Sequence, residues 1–148
     1  MFPNDDDLKA LRQGIEVQRL LIREHGFASN DIIEIGADGM TLNGTRLTHL
    51  RCRDLLISDI LAEHSQNARG AYLKTKDLIH RIDARKKSFG LEWDYVVPED
   101  VHQAMRRIRK AIKEAGGQRG LLQSIPKVGY RFSTPNVLRI GDAPAALR

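Results

Sequence analysis

The sequence is short of the features that mark several classes of protein. It holds a single cysteine, Cys52, which rules out an intramolecular disulfide framework and fits a reducing compartment, the cytoplasm. Cys52 falls inside an apolar helical pattern, so a buried small hydrophobe is its expected role. No apolar run approaches the roughly eighteen residues that a membrane-spanning helix requires, and the N-terminus has no signal-peptide pattern. The five histidines are scattered, and with one thiol they give no zinc-ligand spacing. No nucleophile–base spacing, glycine-rich phosphate loop or paired metal ligands emerge. The expectation is therefore no catalytic residues, no metal and no cofactor. Internal repeats and low-complexity blocks are also absent.

What is present is concentrated positive charge. The chain of 148 residues, with room for one domain and an appendage, carries a formal net charge of +5. Between positions 101 and 132 there are eight Lys or Arg and one acid, Glu114, a local +7. The rest of the chain is thus net acidic, and the basic stretch is the electrostatic footprint of a nucleic-acid site. A solvated helix face is the competing meaning of such charge.

That stretch opens as a helix. Pro98 suits a first helical position, with Glu99 and Asp100 where the helix dipole favours acids. Val101, Met105, Ile108 and Ile112 recur with the period of one buried face. Gln103, Arg106, Arg107 and Lys110 fall opposite, with Arg109 and Lys113 on the flanks. Gly116-Gly117 ends the helix. Two short strands follow, Leu121–Ile125 and Tyr130–Phe132, around the turn Pro126-Lys127-Val128-Gly129.

Upstream, Asp5-Asp6-Asp7 offers a cap for a helix ending at Gly26, with Leu8, Leu11, Ile15 and Ile22 at heptad-like positions. This extension, residues 1–26, either packs on its own domain or forms a homodimer through residues 5–25. Ile32–Ile35, Met40–Leu42 and Thr45–Leu47 read as strands, and Asn43-Gly44 is a strong hairpin signal. A helix capped by Thr48 runs to roughly His64, and Tyr72-Leu73 suggests a short strand. Thr75 caps a second helix bearing Leu78, Ile79 and Ile82. Residues 83–97, with Trp93 and Tyr95, read as a long connection of the kind that often serves a partner. Residues 134–148 read as a flexible tail.

The order sheet, helix, helix, basic helix, hairpin resembles the OmpR/PhoB-type winged-helix DNA-binding domain of bacterial response regulators. The hairpin running into Leu47-Thr48, the recognition-helix-like VHQAMRRIRKAI at 101–112 and the wing-like QSIPKVGYRF at 123–132 carry the resemblance. Gly129-Tyr130-Arg131-Phe132 is its most specific piece. It implies an α+β winged helix-turn-helix over residues 30–133, with an N-terminal antiparallel sheet, three helices and a C-terminal β-hairpin wing. It implies a cytoplasmic, nucleoid-associated transcriptional regulator. The helix at 98–115 would enter the major groove of double-stranded DNA, and the wing at 121–132 would lie on the backbone or minor groove.

On that reading Gln103, Arg106, Arg107 and Lys110 face base edges, where guanidinium forks read guanine and glutamine reads adenine. Arg109, Lys113 and Arg131 meet phosphates, as do Lys74, Thr75 and Lys76 at the start of the preceding helix. Lys127 stands where the family has an arginine at the wing tip. Arg51 replaces the family's acid in the first helix, so that capping box is expected to be missing. Residues 1–30 are too short for a receiver domain, so the expectation is a stand-alone effector domain. RNA polymerase is a partner that the resemblance admits through loop 83–97. The competing function is a protein-interaction module on the same fold, contacting the polymerase or another regulator.

Overall fold

The alternation of apolar residues after Asp31 builds the first layer. In a computed structural model, which describes residues 26–36, 39–68, 70–88, 96–118 and 120–140, strands β1 (Ile32–Gly36) and β2 (Gly39–Leu42) run antiparallel. Ile33 lies opposite Leu42 and Ile35 opposite Met40, so all four point to one face and are buried. Asn43 and Gly44, with φ of 51° and 84°, make the tight turn into β3 (Thr45–Arg46). The Asn43 side chain accepts a 2.8 Å hydrogen bond from the Ile32 N–H, which fixes the register.

Three helices among the described residues share one buried core with this sheet. Helix α1 (Cys52–Ala68) is the central one, with every residue from Asp54 to Ala62 buried. Its start departs from expectation. The backbone takes a positive φ of 63° at His49, and the helix begins at Cys52 instead of at Thr48. The Asp54 carboxylate accepts the Arg51 N–H at 2.9 Å. The acid of a capping box is therefore supplied from Asp54, with Arg51 as the cap residue. Cys52, expected inside, is exposed.

Helix α2 (Thr75–Ser88) runs further than its sequence pattern suggested. It takes in Lys86, whose ammonium pairs with Asp83 at 3.0 Å while its stem is buried. Part of the expected 83–97 connection is thus helix. Trp93 and Tyr95 lie outside the described residues, as does the proposed extension at residues 5–25.

Helix α3 (Pro98–Glu114) follows its sequence closely. Asp100 accepts the Val97 N–H at 2.9 Å, and Val101, Ala104, Met105, Ile108, Ala111 and Ile112 form the buried face. Gly116, at φ 85°, reverses the chain. The Gly116 and Gly117 amides then donate back to the Lys113 and Ile112 carbonyls, so the last carbonyls are satisfied by a Schellman motif.

The hairpin forms as β4 (Leu122–Ile125) and β5 (Gly129–Phe132). Leu73 adds a third rung, exchanging two backbone hydrogen bonds with Tyr130 at 2.8 and 2.9 Å. Gly129 sits at φ 137°, where a Cβ would collide with the Leu73 carbonyl.

The expected flexible tail is overturned over part of its length. Residues Asn136–Ile140 form β6, parallel to β1, with Val137 buried opposite Ile33. The sheet order β3-β2-β1-β6 is consequently mixed, where an antiparallel sheet was expected. Arg139 anchors this strand. Its guanidinium holds Asp59 of α1 at 2.9 and 3.0 Å and Glu63 at 3.2 Å, and Arg85 of α2 grips the same two carboxylates. Asp59 is 2% exposed. Burial pushes its carboxyl up, but hydrogen bonds and charge from Arg139 and Arg85 outweigh that and hold it below its usual range. The described residues form an α+β arrangement of three helices, a mixed sheet and a hairpin. Among the described residues no helix is long and apolar enough to cross a membrane.

Candidate nucleic-acid interface

The buried stripe of α3 decides which of its polar residues face water. Gln103, Arg106, Lys110 and Lys113 follow one another at steps of three, four and three, and all four are exposed. None of the three cations has an ion-pair partner among the described residues. A groove of about 280 Å³ runs beside them, bounded by Arg109, Gln118 and Leu122. The hairpin turn presents Lys127, exposed and at φ 64°. The start of α2 presents Lys74 and Lys76, also exposed, with Thr75 half-buried. Lys74, Thr75 and Lys127 line a second cleft of about 420 Å³, together with His102 and Tyr130.

Three arginines of the expected set are engaged inside the domain. Arg107 does not reach outward with Arg106. Its Nε and Nη2 bind both oxygens of Asp54 at 2.8 to 3.1 Å, and Asp54 is fully buried at 0% exposure. Hydrogen bonding to Asp54 holds the guanidinium above its usual value against the opposing effect of burial. One helical step places Arg107 on the flank of the exposed stripe, near enough to the domain for the long side chain to fold back.

Arg131 departs further, being 3% exposed. It donates to Gln123 Oε1 at 2.9 Å, to the Gly70 carbonyl at 2.9 Å and to the Gly26 carbonyl at 2.6 Å, and it lies over the Tyr72 ring. Burial pulls this guanidinium below its usual range and pushes the Tyr72 phenol up. The cause is that β5 is covered on both faces, so strand alternation gives Arg131 no route to water. Arg109 is tied in more lightly, through Nε to the Leu122 carbonyl at 3.3 Å.

One residue of this surface escaped the sequence reading. His102 is exposed, and its Nδ1 lies 3.0 Å from the hydroxyl of Tyr130, a residue only 4% exposed. The rings meet edge to face, 6.3 Å between centroids. The signal was available: His102 precedes Arg106 by four residues and so shares its helical face. No family model, curated protein or solved structure matches the chain.

Proposed function

We propose that this chain is a winged-helix protein that binds double-stranded DNA in a sequence-specific manner and regulates transcription. One observation carries the reading. Arg106, Lys110, Lys113, Lys127, Lys74 and Lys76, from three separate elements, are all exposed cations that no carboxylate pairs among the described residues. Cations held apart from acids in this way are available to phosphates, and a helix with such an exposed basic face fits the major groove. On this reading Gln103, Arg106 and Lys110 meet base edges. Lys113 and the cations of α2 meet the backbone, and the hairpin lies along the adjacent strand or minor groove. A single helix reads few base pairs, so the reading includes two copies on repeated half-sites.

The test is capture of mixed genomic fragments by the purified protein at two salt concentrations, with sequencing of what is retained. One recurring motif that survives the higher salt is the expected result, and its repeat spacing reports the number of copies bound. Retention of everything at low salt and nothing at high salt would reduce the activity to non-specific charge binding and overturn the proposal.

A further inference from the structure

The cleft between the start of α2, His102 of α3 and the hairpin tip has a composition that its electrostatics alone do not require. Two lysines from separate parts of the chain line it, Lys74 immediately before α2 and Lys127 in the hairpin turn. Thr75 and Ser124 add hydroxyl-bearing side chains to the lining, which holds no carboxylate among the described residues. His102 stands at its edge with Nδ1 occupied by the Tyr130 hydroxyl, 3.0 Å away. With Nδ1 engaged by the buried Tyr130, the ring edge left for a ligand is Nε2. When the phenol donates to Nδ1, the neutral imidazole carries its proton on Nε2; a protonated ring carries one on both nitrogens. Both of these forms offer an N–H at Nε2, whereas the neutral tautomer whose Nδ1–H donates to the phenol oxygen leaves Nε2 an acceptor, so a bound anion selects the first two. The first-turn amides of α2 have no intrahelical partners and add further donors beside Thr75.

We propose that this cleft binds a single phosphate group, received by Lys74, Lys127 and the Nε2 edge of His102. Tyr130 serves as the positioning residue that orients the imidazole. A tetrahedral anion suits this set. It carries several acceptor oxygens and no donor as a diester, while the lining holds two point charges, two hydroxyl-bearing side chains and ring and backbone N–H donors drawn from separate elements. The inference rests on the DNA-binding reading in one respect, since a backbone phosphodiester is then the phosphate that reaches the cleft. A free phosphate presents the same chemistry.

Two substitutions at one position separate contact from scaffolding. His102→Asn keeps an amide near Nδ1, so it can still meet Tyr130, but has nothing at Nε2. His102→Gln places its amide near Nε2. Affinity for a short mixed-sequence duplex is measured by fluorescence anisotropy across salt, and inorganic phosphate is titrated while imidazole ¹⁵N signals are followed by NMR. The expected result is a phosphate-dependent shift of the His102 signal. His102→Asn should weaken duplex binding about tenfold, while His102→Gln should restore most of it. Lys127→Ala should make the slope of log K against log[salt] shallower by about one.

If His102→Gln is the more damaging change, the histidine acts through Tyr130 alone and the proposal falls. It falls also if phosphate moves no His102 signal and neither His102→Asn nor Lys127→Ala alters duplex binding. A phosphate-induced shift with duplex binding indifferent to all these changes would retain the phosphate site and assign it to a free phosphoanion. A wild-type protein that binds no duplex would overturn the DNA-binding reading, and the phosphate titration would still judge the cleft.

Discussion

Arg106 and Arg107 are adjacent in sequence, and the structure assigns them opposite kinds of work, which a pair of alanine substitutions separates. Arg107→Ala leaves the Asp54 carboxylate fully buried and without its guanidinium, while the Arg51 N–H still donates to it. Removing one partner of a buried ion pair costs about 3–5 kcal/mol. The Arg107 side chain is itself 25% exposed, which admits water to the broken pair and lowers the expected loss to about 2–3 kcal/mol. For a folded unit of about 100 residues, each kcal/mol moves the melting midpoint by about 4–8 °C, so a drop of at least about 8 °C is expected. Arg106→Ala removes an exposed side chain that has no ion-pair partner among the described residues, and should change stability by no more than about 0.5 kcal/mol. On the DNA-binding reading, it should instead make the salt slope shallower by about 0.9. Thermal melts followed by circular dichroism give the first quantity and anisotropy titrations between 50 and 200 mM salt the second. Equal melting midpoints for the two variants would refute the buried pairing of Arg107. A duplex affinity and slope left unchanged in Arg106→Ala would remove that residue from the interface.

Three other outcomes follow from the same structure. Gly129→Ala should destabilise by roughly 1–3 kcal/mol, because of both the positive φ and the collision with the Leu73 carbonyl; urea unfolding with an unchanged midpoint would contradict that packing. Asp59 has its carboxyl held below its usual 3.8 in the folded state, so the folded protein binds this proton less readily than the unfolded chain. The stability this contributes is fully present above about pH 4 and lost as pH falls through the folded value. Asp59→Asn should flatten that acid limb of a pH-dependent melting series, and a limb of unchanged steepness would assign it to other groups. A chain ending at Pro135 lacks β6 and leaves Asp59 with Arg85 alone among its two arginines, so a loss of at least about 3 kcal/mol is expected in urea unfolding. A truncated chain as stable as the full one would show β6 to be peripheral.

The parts of this fold that were legible in the sequence are those decided by neighbours. Asn43-Gly44 dictates its own turn, and the buried stripe of α3 is set by residues three and four apart. Gly129 lies at the end of a turn that its own tetrapeptide announces. The misread parts depend on partners far along the chain. Arg107 looked like a surface cation because Asp54, which claims it, is 53 residues away. Arg131 looked like a phosphate contact because its acceptor at Gly26 is 105 residues away. β6 was hidden for a similar reason. Asn136–Ile140 is five residues long between a proline and a glycine, so its local signal is weak, and its strand character comes from Ile33 and Arg139's partners on α1. His102 was the opposite case. Its helical spacing to Arg106 was readable, but its hydrogen bond to Tyr130 was not.

The parallel pairing of β6 with β1 also sets an order of events during synthesis. Partners in this pair, such as Ile32 and Asn136, are separated by about a hundred residues. At translation rates of about 5–20 residues per second, β1 waits on the order of 5–20 s for its second neighbour to be made. In that interval β1 is a sheet edge, with backbone donors and acceptors open to any passing strand. The helices and the hairpin are all synthesised before that edge can close. Closing it requires a contact of long sequence separation, which is slow to form. The ribosome's last contribution to the described fold is thus the strand that seals its first.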